Sequence, residues 1–396
     1  MRLTRKARWA VPAAAVIVAG GVIAGSAITV AQASPDLPVK TPAQLLADIA
    51  STHAVPPLTG TVVETTSLGL PALPQVGNPT SLASLLTGSH TIKVYYKDTQ
   101  HFRLAVPQTM SETDIIRSDS TVWLWESAGN SVTKFAVPAD VPASAKARAN
   151  AAIKAHKKLA PQLPESAPLT PQQAANEALN AVGKTTVVSV DSTLTVAGQA
   201  AYQLVLAPKD ARSTIGSVRI AIDGRTGVPL RVQVFAKGAT SPAFQVGYTD
   251  ISYVAPNPAN LTFTPPSGAT VTNGDTQSAP GDRGGPAVKG QTGTYGQSWL
   301  TVAEVPRALL SNAPQSGAPG ATTPAGTGTF GRDSQAAISA LLGAAKPVSG
   351  AWGSGTLLRT SLVNVLFVGN EMYLGAVDPS VLYAAVGHAT PAGSGS

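Results

Sequence analysis

Four segments in the middle of the chain alternate apolar and polar side chains with the period of a β-strand, and this pattern constrains the fold most. They are residues 202–206, 218–222, 230–234 and 244–248. Alternate side chains of a strand point to the same face, so one apolar face runs through successive strands. An apolar sheet face must be covered, which predicts an antiparallel sheet around an apolar core or cavity.

The preceding part of the chain continues this pattern. Residues 90–97 place Ile92, Val94 and Tyr96 on one side, and residues 100–106 alternate in the same way. The sequence therefore predicts further strands of the same sheet.

Residues 118–125 predict a turn that leads into a strand with apolar side chains on both faces, and residues 132–137 are its expected hairpin partner. A strand of this kind must be covered on both sides. Its tryptophans, Trp123 and Trp125, either pack in the core or present one ring to a ligand.

Composition excludes several classes of site. The chain has 396 residues, enough for two or three domains, with only 12% charged and 43% apolar side chains. It contains no cysteine. A disulfide, a thiolate metal site, a thiol nucleophile and a lipid-modified N-terminal cysteine are therefore all excluded.

The net charge of +7 does not indicate a nucleic-acid partner. Four positive side chains lie within residues 1–8 and five within residues 146–158, and neither stretch holds an acid, so the remainder carries −2. A DNA-binding domain spreads its basic residues over a folded face and interleaves aromatic side chains. We expect no nucleic-acid partner.

Residues 1–33 have the pattern of an export signal. A basic start and an apolar run over residues 9–30 lead to Ala31-Gln32-Ala33, an A-x-A cleavage site before Ser34. The run is also close to the roughly 20 residues that span a bilayer, so an uncleaved membrane anchor is the alternative. Both interpretations place the rest of the chain outside the cytoplasmic membrane, either secreted or anchored to it.

Four motifs in order resemble those of the LolA family of periplasmic lipoprotein carriers. They are Phe102-Arg103-Leu104, the turn at residues 118–123, the strand pair at residues 218–231 and a closing strand at residues 260–271. The part over residues 223–231 also resembles the RseB/MucB regulators, which carry a LolA-like domain. The resemblance covers roughly residues 40–271.

The resemblance implies a mainly β fold, an incomplete antiparallel β-barrel around an apolar cavity with a helical lid. An N-terminal helix is predicted at residues 41–49, and the lid candidates are residues 143–159 and 171–182. In LolA an arginine that precedes the corresponding phenylalanine–aromatic pair bonds to the lid. In this chain Lys97-Asp98-Thr99 occupies that position, and Arg103 follows Phe102 instead. A Pro- and Leu-rich insertion at residues 68–87 is a further candidate cover.

The same resemblance, together with the strand alternation, predicts that an acyl chain binds to side chains inside the barrel. The expected ligand-binding residues are Ile92, Val94, Tyr96, Phe102, Leu104, Trp123, Trp125, Tyr202, Leu204, Val218, Ile220, Leu230, Val232, Phe244 and Val246.

The sequence divides into an export segment, a large domain, a linker and a small domain. The predicted bounds are 1–33 for the signal peptide or anchor, 34–271 for the barrel, 272–294 for the linker, 295–390 for a small α+β domain and 391–396 for a disordered tail. Few contacts are expected to cross the Gly- and Pro-rich linker. In the small domain we predict strands at residues 298–302, 357–368 and 372–377 and helices at residues 305–311, 333–345 and 379–386.

No pattern indicates catalysis, a metal or another cofactor. Residues 326–331 fit G-x-G-x-x-G, but no predicted strand precedes them, as a nucleotide site requires. The five histidines have no metal-ligand spacing, and no G-x-S-x-G motif occurs. Asp114 with Glu112, and Asp223, are expected to be solvated carboxylates in turns or at strand edges.

The hypothesis is therefore a non-enzymatic cell-envelope protein that binds an acyl chain, lipid or lipoprotein, as a LolA-like carrier does. The alternative is an RseB-like sensor that binds a membrane-bound partner protein, an anti-sigma factor. A third hypothesis is a structural cell-wall protein that uses the same fold with a filled core.

Overall fold

The structure of the protein is a computed structural model that describes residues 35–51, 55–69, 87–108, 110–137, 179, 182–274, 293–307 and 342–389. The predictions for residues 1–33, 143–159 and 391–396 lie outside the described residues. Most of those for residues 68–87, 171–182, 272–294 and 333–345 also lie outside them.

Twelve strands form the larger sheet. They are β1 (Leu58–Ser67), β2 (Thr87–Asp98), β3 (His101–Pro107), β4 (Glu112–Ser118), β5 (Thr121–Glu126), β6 (Ser131–Ala136), β7 (Thr186–Val196), β8 (Gln199–Pro208), β9 (Ile215–Asp223), β10 (Pro229–Ala236), β11 (Pro242–Ser252) and β12 (Thr270–Gly274).

The larger sheet is an open, incomplete barrel. Its strand order is β12-β6-β5-β4-β3-β2-β1-β11-β10-β9-β8-β7. Strands β1 to β6 form one run of antiparallel hairpins, and strands β7 to β11 form another. Strand β1 joins the two runs by pairing with both β2 and β11, and among the described strands β12 pairs in parallel with β6. The edge strands β7 and β12 do not pair with each other in the described part of the chain. The prediction of a mainly β fold with an incomplete barrel is confirmed.

The N-terminal helix α1 (Pro42–Ser51) begins as predicted. Thr41 Oγ1 accepts a hydrogen bond from Gln44 N at 3.2 Å, and Gln44 Oε1 accepts one from Thr41 N at 2.9 Å. This reciprocal capping satisfies two backbone donors at the helix start. Leu45 then packs against Tyr202 and Leu204, so the helix covers part of β8.

A second sheet of six strands lies in the C-terminal part. Its elements are β13 (Gly293–Tyr295), β14 (Val302–Pro306), β15 (Lys346–Gly350), β16 (Gly353–Arg359), β17 (Asn364–Val368), β18 (Glu371–Gly375) and the helix α2 (Pro379–Ala389). The strand order is β13-β14-β18-β17-β16-β15. Leu382 and Val386 of α2 pack on Val302, Leu366 and Tyr373 to form its core.

Several element predictions in this region need correction. The strand predicted at residues 298–302 is a 3-10 helix (Ser298–Leu300) followed by β14. The helix predicted from residue 305 is wrong at its start, because Val305 pairs with Met372 of β18. The long strand at residues 357–368 is interrupted at Thr360, whose Oγ1 accepts from Val363 N at 2.9 Å and turns the chain. The final hairpin and α2 are confirmed.

The closing strand predicted at residues 260–271 is also shorter than expected. Residues 261–269 have no strand structure, and pairing begins only at Thr270 of β12. Pro265 and Pro266 have no backbone N–H to donate to a ladder, which explains the late start.

Backbone hydrogen bonds connect the part of the chain that forms the larger sheet to the part that forms the second sheet, at residues that do not belong to the linker. Thr214 N donates to Ala376 O at 3.1 Å, and Asp378 N donates to Arg212 O at 2.7 Å. The linker composition predicts few contacts between these two parts of the chain, whereas residues 212–214 and 376–378 are in direct contact. Within the described ranges, no helix has the length and apolar character needed to cross a membrane.

Candidate functional site

A cavity of about 460 Å³ lies against one face of the larger sheet, which we call the cavity face. This volume falls within the roughly 300–1,000 Å³ typical of small-molecule sites. Its lining residues are Val55, Leu58, Val62, Ile92, Val94, Tyr96, Thr99, Phe102, Leu104, Ile115, Arg117, Val228, Pro229, Leu230, Arg231, Val232, Val246, Gly247 and Tyr248.

Strand register makes the apolar lining continuous on the β2 side of β1. Val62 lies opposite Ile92, Val94 lies opposite Leu104, and Leu104 lies opposite Ile115. Residues opposite each other on neighbouring strands share a face of the sheet. One apolar surface thus extends across β1, β2, β3 and β4.

The lining continues on the other side of β1. Val62 lies opposite Tyr248 of β11, and Val246 of β11 lies opposite Val232 of β10. Burial raises the pKa of the Tyr248 hydroxyl to about 12, so this side chain is neutral at physiological pH. The cavity therefore lies between two halves of the sheet that are far apart in sequence.

Few polar residues line the cavity, and in the described part of the chain none of them is a carboxylate. Tyr96, Thr99, Arg117 and Arg231 are among its lining residues, and no Asp or Glu of the described ranges is. Arg117 shares the face of Ile115, whereas Arg231 alternates with Leu230 and Val232, so its side chain lies on the opposite face. Burial lowers the pKa of the Arg231 guanidinium. An apolar cavity with one cationic side chain, Arg117, on its face favours ligands that are apolar or negatively charged.

The structure brings eight of the fifteen predicted side chains together in this cavity. They are Ile92, Val94, Tyr96, Phe102, Leu104, Leu230, Val232 and Val246.

Five other predicted residues lie elsewhere on the sheet. Tyr202, Leu204 and Ile220 pack around Leu45 of α1, in the N-terminal helix cluster. Phe244 packs beside the cavity against the buried cluster of Val62, Ile92, Val106 and Val246. Val218 lies opposite Val234 in the β9–β10 pair.

Trp123 and Trp125 lie on the face of the sheet opposite the cavity face. They pair with Ile116 and Asp114, whereas the cavity uses the alternate residues of β4. Phe263 covers them, with its ring centroid 5.7 Å from that of Trp123 and 6.1 Å from that of Trp125. This arrangement matches the core-packing interpretation of the tryptophans, since neither ring lines the cavity.

Arg103 also lies on the face opposite the cavity, where it contacts two carboxylates. Its guanidinium bonds Asp114 and lies 3.2 Å from Glu112 Oε1. Asp114 is fully buried, and burial with the nearby Glu112 raises the pKa of its carboxyl to about 7, against the influence of Arg103. The expectation that Asp114 is a solvated carboxylate is wrong, because the strand buries this face.

Asp223 is buried as well, with 3% of its surface exposed. Its Oδ1 accepts from Arg225 N and Thr226 N, both at 2.8 Å, and its Oδ2 accepts from Tyr253 Oη at 2.8 Å. The carboxylate therefore holds the β9–β10 turn together, and the prediction that it is solvated is also wrong.

Several lining residues escaped the sequence prediction, among them Leu58, Ile115, Arg117 and Tyr248. For two of them, Ile115 and Arg117, the sequence contains a signal. Residues 112–118 precede the turn at Ser118 and are as long as the strand that follows, so they are its natural antiparallel partner. Alternation along β4 then places Ile115 and Arg117 on one face.

No group of three or more His, Asp or Glu side chains that could hold a metal occurs among the described residues. The G-x-G-x-x-G run at residues 326–331 lies outside them.

Comparisons with known proteins find similarity to solved structures only. No protein-family model and no curated protein matches the chain. The MucA/MucB complex of Pseudomonas aeruginosa matches at 12% identity over 86% of this chain and 94% of the matched chain, with a TM-score of 0.38. A LolA superfamily protein from Nitrosomonas europaea matches at 10% identity over 57% of this chain and 99% of its own, with a TM-score of 0.21.

The chain is similar to LolA-like and MucB-like proteins. These are the two groups that the sequence motifs resemble. At 10–12% identity the similarity does not extend to ligands or partners.

Proposed function

We propose that this protein is a non-enzymatic, exported protein of the cell envelope that binds an acyl chain of a lipid or lipoprotein in the cavity. The observation that supports this most is the apolar surface that runs in register across six strands and lines a cavity of about 460 Å³. The proposed site residues are those of the predicted set that line this space, with Leu58, Val62 and Ile115 added.

The driving force for such binding is the removal of methylene groups from water. Each buried methylene contributes about 0.8 kcal/mol, so a long acyl chain gains on the order of 10 kcal/mol before ordering costs are subtracted. A protein that shields this chain lets it cross an aqueous compartment, which is the task of a carrier.

A substitution that fills the cavity tests the proposal. Val94→Trp places a large ring on the cavity face of β2, and its control, Lys93→Trp, places the same ring on the exposed opposite face of the same strand. Binding of the neutral apolar dye N-phenylnaphthylamine is measured by fluorescence titration, with thermal unfolding as the check on folding.

We expect the wild-type protein and Lys93→Trp to bind the dye with equal affinity and Val94→Trp to lose binding while it remains folded. Equal binding by Val94→Trp, or no binding by the wild-type protein, contradicts the proposal.

The second sheet favours a further candidate function, because the described cavity-lining residues lie between Val55 and Tyr248 and none of them comes from β13–β18. A surface that the cavity does not use is available to a membrane-bound partner protein, as a sensor requires. Capture of a defined membrane protein by the full chain, with loss of capture after substitutions on β15, supports this function. Capture that survives such substitutions and fails in Val94→Trp contradicts it.

A further inference from the structure

We propose that the ligand is an anionic amphiphile whose charged head pairs with Arg117, with its tail in the apolar part of the cavity. This inference rests on the proposed function and adds the ligand's charge and its direction in the cavity.

Arg117 belongs to the cavity face of β4. It lies opposite Phe102 of β3, and Phe102 lies opposite Tyr96 of β2, so these three residues form a row across adjacent strands. All three line the cavity, together with Thr99 from the β2–β3 turn. Neighbouring strands are about 4.8 Å apart, which puts the tyrosine within roughly 10 Å of the arginine along the row. The row therefore combines a cation with a hydroxyl donor at one end of an apolar chamber.

The guanidinium of Arg117 is available for an anion. Its Nε donates to Asp119 O at 3.3 Å, and no carboxylate among the described residues forms an ion pair with it. The carboxylates of Asp98 and Asp119 contact His101 instead. Asp98 Oδ1 lies 2.9 Å from His101 Nδ1, and Asp119 Oδ1 lies 3.1 Å from His101 Nε2.

The direction of the tail follows from the strands. Along β2 the lining runs from Tyr96 through Val94 to Ile92, a distance of about 13 Å at the usual rise of a strand. Val62 lies opposite Ile92 and extends the apolar surface at this end. A ligand whose head group binds Arg117 therefore extends its acyl chain along β2 towards Ile92.

Two ligands with the same chain test the inference, dodecanoate and dodecanol, each measured by displacement of N-phenylnaphthylamine from the full-length protein. We expect the wild-type protein to prefer dodecanoate by roughly tenfold, as a charge-assisted hydrogen bond provides. Arg117→Gln removes this preference but binds dodecanol as before, and Arg117→Lys retains part of it. Arg359→Gln, an equal change of charge at an exposed site of the second sheet, is the control and keeps the preference.

The outcomes separate this inference from the proposed function. If neither ligand displaces the dye from the wild-type protein, the proposed function fails. If both displace it but Arg117→Gln keeps the preference for dodecanoate, the function stands and Arg117 does not bind the head group. Equal affinity of the wild-type protein for both ligands also overturns the inference.

Discussion

The ring of Tyr248 lies over Gly60 of the neighbouring strand. A Cβ added to Gly60 would come within 2.9 Å of this ring and within 2.6 Å of the carbonyl oxygen of Asp250. The absence of a side chain at Gly60 therefore leaves room for the Tyr248 ring at the point where β1 joins the two halves of the sheet. A β-bulge between Thr61 and Val62 lies next to this contact.

The substitution Gly60→Ala is predicted to destabilise the fold and reduce dye binding. The methyl group forces the tyrosine or the backbone to move, and such overpacking costs about 1–3 kcal/mol. Denaturant unfolding and dye titration measure the two effects. The control is Gly129→Ala, where the added Cβ has its nearest neighbour at 3.8 Å. An unchanged stability of Gly60→Ala contradicts the contact.

The raised pKa of Asp114 predicts a pH dependence of stability. Between its ordinary pKa of 3.8 and its folded value of about 7, the folded protein holds a proton that the unfolded chain has released. The free energy of unfolding contributed by this group therefore falls as pH rises through this window and is constant above it. Asp114→Asn removes this decline, which unfolding curves at a series of pH values detect.

Glu112→Gln provides a second test of the same cluster. Glu112 raises the pKa of Asp114, so Glu112→Gln is expected to lower that pKa. The pH range over which the free energy of unfolding falls then ends at a lower pH. The difference in free energy of unfolding between the wild-type protein and Asp114→Asn is expected to change between pH 4 and pH 7. An equal difference at both pH values contradicts the raised pKa of Asp114.

The position of Phe263 predicts a loss of stability without a loss of binding. Its ring packs on Trp123 and Trp125, on the face opposite the cavity. Phe263→Ala is expected to cost about 1–3 kcal/mol, less than the roughly 3–5 kcal/mol of a fully buried phenylalanine. Dye affinity at a temperature where the variant is folded is expected to equal that of the wild-type protein. A selective loss of binding points instead to tryptophans that face the ligand.

Contacts between the two sheets predict that they stay together when the linker is cut. Trp299 Nε1 donates to Thr186 Oγ1 at 2.7 Å, in addition to the backbone bonds at residues 212–214. After limited trypsin cleavage near Arg283 or Lys289, both fragments are expected to elute as one species in gel filtration. Trp299→Phe, which removes the hydrogen bond, is expected to weaken this association. Separate elution of the wild-type fragments contradicts it.

The strand pattern could be predicted from sequence because alternation is a local property. Ile92, Val94 and Tyr96 share a face for the same reason in any β-strand, and all three line the cavity. The pattern does not show which face of the sheet is covered by which element. Tyr202 and Trp123 alternate just as well, yet the first packs near α1 and the second under Phe263.

Charged groups were the least predictable part of the site. Arg117 and Asp114 are three residues apart in β4, so alternation places them on opposite faces, but only the register with β3 assigns each to its face. Asp114 is buried in contact with Arg103 from the neighbouring strand, a pairing that sequence spacing alone does not show.

Native mass spectrometry of the protein purified from bacteria, followed by solvent extraction of the same sample, tests the central claim most directly. We predict one equivalent of bound acyl lipid in the wild-type protein and in Lys93→Trp, and none in Val94→Trp, whose added ring occupies the cavity. A wild-type protein that is free of lipid after purification and also fails to bind N-phenylnaphthylamine contradicts the account. Lipid retained equally by Val94→Trp contradicts it too, because the ligand then lies outside this cavity.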